Sequence, residues 1–71
     1  MSPAQTVGAC IRAARHRRGM GLRECAALAR LGTHRNLIRI EQGKHDPKLD
    51  TLIRISRALN VTVADLVAGI A

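Results

Sequence analysis

The stretch that decides the fold is GTHRNLIRIEQGKHDP, residues 32–47. It holds Leu37, Ile38 and Ile40 within four positions, and at about 100° per residue a helix cannot bury all three on one narrow stripe. Leu37 and Ile40, three residues apart, fit one core face, which leaves Ile38 at the edge of that face. The pattern therefore predicts a helix with a core face and a face turned to a ligand. The donor-rich residues available for that second face are His34, Arg35, Asn36 and Arg39.

Residues that start and stop helices surround this stretch and predict five short helices. Ser2, Pro3 and Gln5 are typical of a capping box with proline at the first helical position, so helix one should begin at residue 3 and reach residue 18. Thr62 and Asp65 predict a second capping box, which opens helix five. Residues suited to a left-handed stop follow the first four helices: Gly19, Gly32, Gly43 and Asn60. The helices between these signals are expected at residues 22–31, 35–42 and 49–59.

The strongest apolar stripe lies on helix four, with spacings of three, three and four residues. No segment predicts a strand of comparable strength, so we expect an all-α fold in a single domain spanning residues 1–71. The chain contains no Phe, Tyr or Trp, and its core must therefore be built from aliphatic side chains. The stripe consists of Leu49, Leu52, Ile55 and Leu59.

The charge is large and unevenly distributed. Twelve Lys/Arg against five Asp/Glu give a net charge of +7 and a pI near 11.4. Residues 1–45 hold nine of the cations and two of the acids, whereas residues 46–71 hold three of each. A basic half joined to a neutral half is typical of a nucleic-acid footprint, although a cationic surface that serves only solubility gives the same balance.

Cys10 and Cys25 stand in apolar surroundings, and the first ten residues lack the basic start and apolar run of a secretory signal. No segment has the length of apolar residues that a membrane span needs. We therefore expect a cytoplasmic protein with both thiols reduced and buried, and a disulfide between them is the less favoured alternative. The spacing of the two cysteines with His34 and His45 matches no paired zinc ligands, so neither a metal nor a cofactor is expected.

Helix two, a glycine turn and helix three are short and closely joined, as in a helix-turn-helix. Residues 37–67, LIRIEQGKHDPKLDTLIRISRALNVTVADLV, resemble the Cro/repressor-type (XRE-type) helix-turn-helix proteins. Helix one with its Gly19 stop resembles the opening helix of the same family. Ten positions carry the resemblance: Leu37, Ile40, Glu41, Gly43, Pro47, Leu52, Ile55, Leu59, Val61 and Leu66.

The resemblance implies a compact, lambda-repressor-like fold of five helices that binds double-stranded DNA, usually as a homodimer. Residues 34–42 would form the recognition helix in the major groove. On this register the base-reading candidates are His34, Arg35, Asn36 and Arg39. Arginine suits guanine O6 and N7, and asparagine suits adenine N6 and N7.

A second group of side chains is expected to contact DNA phosphates, which fix the position of the protein without reading sequence. The resemblance places Thr33 at the cap of helix three and Lys44 in a segment that grips the backbone. It also pairs Arg15 with Glu41, which would tie helix one to helix three. The phosphate candidates are Thr33, Arg23, Lys44, His45, Arg17 and Arg18.

Several other functions compete with sequence-specific regulation. Catalysis has no support, because the chain shows neither a nucleophile motif nor a phosphate-cradling glycine loop. Single-stranded nucleic acids are usually stacked on aromatic side chains, which this chain lacks. Non-specific DNA binding and a role as an antitoxin or regulatory protein partner remain alternatives. Val67 and Ile70 on helix five are the expected homodimer seam.

Overall fold

The computed structural model describes residues 2–70, and within them it contains five helices and no strand. The predicted all-α, five-helix fold is therefore confirmed. None of these helices is long and apolar enough to cross a membrane. The helices are α1 (Pro3–Arg17), α2 (Leu22–Leu28), α3 (His34–Glu41), α4 (Leu49–Leu59) and α5 (Val63–Leu66).

The starts of α1 and α5 are held by the two predicted capping boxes. The Gln5 amide donates to Ser2 Oγ at 3.2 Å, and the Ser2 amide donates to Gln5 Oε1 at 2.9 Å. At α5 the Asp65 amide donates to Thr62 Oγ1 at 3.1 Å, and the Thr62 amide donates to Asp65 Oδ2 at 2.9 Å. This last bond is the main reason that the pKa of the Asp65 carboxyl lies below its ordinary value. Both helices thus begin where their side chains satisfy otherwise unpaired backbone amides.

The end of α2 differs from the prediction, which extended it to Leu31 and closed it at Gly32. The helix ends at Leu28, and Arg30 takes the left-handed conformation with φ 56°. The Leu31 amide then donates back to the Ala26 carbonyl at 2.9 Å, which directs the Leu31 side chain into the core. Gly32 also has a positive φ, of 83°, but it lies within the five-residue turn 29–33.

The core is aliphatic and receives side chains from all five helices. Leu37 and Ile40 of α3 are buried together with Leu52, Ile55 and Leu59 of α4. Leu49 was expected in the same stripe, but it is 65% exposed because it is the first residue of α4 and projects beyond the packed turns. The other fully buried large side chains are Ile11, Cys25 and Leu66.

The two cysteines have different environments. Both thiols are unbridged, Cys25 is fully buried, and Cys10 is half-buried, so the expectation of burial is wrong for Cys10. Burial raises the pKa of the Cys25 thiol, which stays protonated as a small core residue.

α1 lies directly on the backbone of α3. A Cβ added to Gly8 would collide with the carbonyl oxygen of Ile40 and lie 2.6 Å from that of Glu41. At Gly43, where φ is 74°, an added Cβ would lie 2.8 Å from the Cα of Gln5. Only glycine permits either approach, so the position of α3 is set by contact with α1.

Candidate nucleic-acid interface

α2, the turn 29–33 and α3 form a two-helix unit whose inner faces belong to the core. Cys25 and Ala26 of α2 and Leu37 and Ile40 of α3 are all buried, with α4 packed against α2 and α1 packed against α3. This packing fixes which side of α3 faces outward. The arrangement is that of a helix-turn-helix, with α3 in the position of the second helix.

The outward face of α3 carries Arg35 and Arg39, which lie one turn apart and are both exposed. Among residues 2–70 neither guanidinium group has a hydrogen bond or an ion pair to the protein. Ile38 lies beside them and is half-buried. Two rigid donor forks on one exposed helix face suit bidentate contacts to guanine edges or to phosphates.

Three of the predicted DNA-contacting residues meet at the start of α3. Arg23, Thr33 and His34 line a cleft of about 320 Å³ between α2 and the turn. Thr33 is the N-cap residue of α3, but its hydroxyl makes no capping hydrogen bond to this helix. The first amides of α3 and the positive end of its dipole therefore face a cleft that also offers a guanidinium, an imidazole and a hydroxyl, a setting that favours an anion.

Two side-chain hydrogen bonds hold carbonyls of the turn. Asn36 Nδ2 donates to the carbonyl oxygen of Leu31 at 2.6 Å, and Arg54 Nη1 donates to that of Arg30 at 2.7 Å. Arg54, although it lies on the outer side of α4, is not merely solvated, because its guanidinium satisfies a carbonyl at the end of α2. Asn36 was predicted as a base reader, but one of its two side-chain amide protons is used in the hydrogen bond to Leu31.

The loop after α3 presents Lys44 and His45, both exposed. The Lys44 amide donates to the Arg39 carbonyl at 2.9 Å, which ties this loop to the last turn of α3. His45 shares a cleft of about 260 Å³ with Asn36. Arg17 and Arg18 are exposed at the C-terminal end of α1, whereas the loop after α3 lies beside the first turn of α1.

A buried ion pair joins α1 to α3. Arg15 Nε donates to Glu41 Oε2 at 2.8 Å, and Arg15 Nη2 donates to Glu41 Oε1 at 3.0 Å. The side chains are 8% and 6% exposed, and Arg15 Nη1 also donates to the Met20 carbonyl at 3.0 Å. The hydrogen bonds to Glu41 raise the pKa of Arg15 above its ordinary value, so the guanidinium stays charged.

The two residues of the expected dimer seam lie beyond the end of α5, which stops at Leu66. Val67 is half-buried against the core, and Ile70 is 42% exposed. Any apolar contact in this region would therefore depend more on Ile70 than on Val67. Within residues 2–70 no three His, Cys, Asp or Glu side chains are grouped closely enough to hold a metal ion.

Comparison with known structures gives close fold matches among gene regulators. The clp gene regulator ClgR from Corynebacterium glutamicum superposes with a TM-score of 0.91 and 28% sequence identity over 96% of this chain and 87% of its own. The apo form of the competence regulator ComR from Streptococcus vestibularis superposes with a TM-score of 0.86 and 32% identity. That match covers 96% of this chain but 23% of ComR. Comparison with the curated proteins gives no significant sequence match.

The family comparison covers nearly the same span as the structural one. Residues 6–68, from the first turn of α1 to the end of α5, match the family model described as a helix-turn-helix domain. The matched span includes the α2–turn–α3 unit, the Arg15–Glu41 pair and the exposed face of α3. The chain therefore belongs to the helix-turn-helix domain family.

Proposed function

We propose that the protein is a transcriptional regulator that binds double-stranded DNA in a sequence-specific manner, with α3 in the major groove. The observation that carries the proposal is the two-sided character of α3. Leu37 and Ile40 fix one side in the core, and Arg35 and Arg39 stand exposed on the other, without partners among residues 2–70. The net charge of +7 and the likeness to two gene regulators support the same proposal.

On this proposal the exposed side chains divide into readers and anchors. Arg35 and Arg39 read base edges, and each good bidentate pair contributes about 1–3 kcal/mol of discrimination against a wrong base. The cleft formed by Arg23, Thr33 and His34 receives a backbone phosphate at the start of α3. Asn36 serves the turn through its bond to Leu31, so we assign base reading first to the two arginines. Lys44, His45, Arg17 and Arg18 are further candidates for phosphate contacts.

We also propose that the protein acts in the cytoplasm as a homodimer, with Ile70 as the apolar centre of the seam and Val67 beside it. A dimer would place two copies of α3 on half-sites about one helical turn, roughly 34 Å, apart. Sedimentation at high micromolar concentration tests this: an Ile70→Ser variant should sediment as a lighter species than the parent protein. A parent protein that is already monomeric at that concentration would contradict the dimer.

Selection from a random duplex pool tests the main proposal. Recovery of a two-fold symmetric motif, together with an affinity that falls as salt increases, is the expected result. Equal binding to all sequences with a steep salt dependence would identify a non-specific DNA-coating protein instead.

Two variants separate reading from anchoring in that experiment. Arg35→Ala should relax the preference at one base position of each half-site, because it removes a base contact. Lys44→Ala should weaken binding to all duplex sequences by a similar factor and reduce the salt dependence of the affinity, because it removes a phosphate contact. Identical effects of the two substitutions on the selected motif would remove the assigned role of Arg35.

A further inference from the structure

A second cationic surface lies on the edge of the fold formed by α2 and α4. Its cleft, of about 420 Å³, is lined by Leu28, Arg30, Asp50, Arg54 and Arg57. We call this the α2–α4 cleft. Three guanidinium groups against one carboxylate give it a positive charge, and no residue of α3 lines it.

The cations of the α2–α4 cleft are differently engaged. Arg54 is bound internally, since it donates to the Arg30 carbonyl and lies 3.3 Å from Asp50 Oδ2. Within residues 2–70 the guanidinium groups of Arg30 and Arg57 have no hydrogen bond or ion pair, and both residues are exposed. The cleft therefore has a fixed floor and two cations available to an outside ligand.

An exposed leucine distinguishes this surface from a plain cationic patch. Leu28 is 58% exposed at the border of the cleft, although Leu22, Cys25 and Ala26 of the same helix pack inward. An apolar side chain flanked by arginines is the composition of a protein interface, in which apolar area supplies affinity and charge selects the partner. A phosphate backbone would leave Leu28 uncovered and would meet the Asp50 carboxylate, whose side chain is 83% exposed.

A second copy of the chain offers few acids to complement this charge. Of its five acids, Glu41 is buried in an ion pair, Asp65 belongs to a capping box and Asp50 lies in the cleft itself. This leaves Glu24 and Asp46, which stand on different elements. An acidic segment of another protein is therefore the better charge complement.

From this charge and apolar pattern we infer that the α2–α4 cleft docks an acidic segment of a partner protein, with an apolar side chain of that segment against Leu28. Carboxylates of the segment pair with Arg30 and Arg57, which line the same cleft. Because the cleft does not include α3, this docking is compatible with a duplex bound at α3. It gives the protein a contact surface for another protein that is separate from its reading face.

Two synthetic twelve-residue peptides test the inference: one with Asp and Glu on both sides of a central Leu-Leu pair, and one with Asn and Gln in place of the acids. Binding is followed by amide chemical shifts of the isotope-labelled protein and by fluorescence anisotropy of the dye-labelled peptide. The acidic peptide should shift the amides of Leu28, Arg30 and Arg57 and leave those of α3 unchanged. The neutral peptide should bind at least about fivefold more weakly, since it lacks the charge pairs.

Three variants make the test specific. Arg57→Ala and Leu28→Ser should each weaken binding of the acidic peptide by about three- to fivefold. The first removes an exposed ion pair, and the second removes an apolar contact. Arg12→Ala, which removes an exposed cation from α1, should change the affinity by less than about 1.5-fold. Thermal melts of all three should match the parent protein, since each replaced side chain is exposed.

Several results would overturn the inference. These are shifts centred on α3, equal binding of the neutral peptide, equal losses for Arg57→Ala and Arg12→Ala, or an acidic peptide that does not bind at millimolar concentration. A mixed-sequence duplex is the last probe. If it shifts the cleft amides, or if Arg57→Ala weakens the duplex as much as the peptide, the cleft is a DNA surface. An acidic peptide that fails to bind, while the duplex still binds at α3, would overturn only the docking inference and leave the proposed regulator function unaffected.

Discussion

Replacement of the buried Arg15 by alanine should destabilise the fold more than the removal of any exposed charge. The substitution leaves the Glu41 carboxylate, 6% exposed, without the two guanidinium bonds of 2.8 and 3.0 Å that now neutralise it. Removal of one partner from a buried ion pair costs about 3–5 kcal/mol. Glu41 also borders a groove of about 440 Å³ that water can enter, so we expect the lower end, about 3 kcal/mol. For a domain of this size that loss lowers Tm by roughly 12–24 °C.

Thermal and urea unfolding followed by far-ultraviolet circular dichroism measure this effect in a chain that has no aromatic residue to report by fluorescence. Arg12→Ala is the matched control, because it removes the same charge from an exposed position of the same helix and should cost less than about 0.5 kcal/mol. Equal losses in the two variants would refute the reasoning. The double variant Arg15→Met with Glu41→Leu should recover most of the loss, since it replaces both members of the pair by apolar side chains.

Three further predictions concern other contacts of the fold. Arg54→Ala should lower the free energy of unfolding, measured by urea titration, by about 1–1.5 kcal/mol, because the Arg30 carbonyl at the end of α2 loses its donor. Arg57→Ala should leave the unfolding midpoint unchanged, and equal midpoints for the two variants would argue against the Arg54 bond. Gly8→Ala should destabilise by about 1–3 kcal/mol, although alanine favours an isolated helix, since its methyl group meets the backbone of α3. A stabilised variant would show that the two helices can separate. The pKa of Asp65 is lower in the folded chain than in the unfolded chain, so its contribution to stability is present above the unfolded pKa and is lost as the pH falls through the folded pKa. Melting curves of Asp65→Asn should therefore converge with those of the parent protein in acid, and a constant separation between the two would contradict this.

The sequence predicted those parts of the fold that depend on neighbouring residues. The capping boxes at Ser2 and Thr62 and the left-handed Asn60 follow from local side-chain chemistry, and all three are present. The bounds of α4 were predicted for the same reason. Leu49 shows the limit of such patterns, since helical spacing places it on the stripe but the first residue of α4 has no packed turn to cover it.

What the sequence could not predict depends on contacts between distant residues. α2 ends three residues early because Leu31 enters the core and Arg54, 24 residues away, holds the carbonyl of Arg30. No local signal distinguishes an arginine that turns the chain from one that continues the helix. At the candidate interface the outward placement of Arg35 followed from periodicity, whereas the internal bond of Asn36 became visible only when the turn was in place.

The seating of α1 on α3 has a mechanical consequence. The two helices touch at three levels: the first turn of α1 against Gly43, Gly8 against Ile40, and Arg15 against Glu41. With so little slack between them, α3 cannot tilt in a groove unless α1 moves with it. If the protein binds DNA as the proposed homodimer, a half-site of imperfect shape is accommodated by bending of the duplex or by a change in the spacing of the two protein copies. On the proposed function, a wrong base would then cost the whole free energy of its contact with α3, because α3 has no freedom to make another contact in its place.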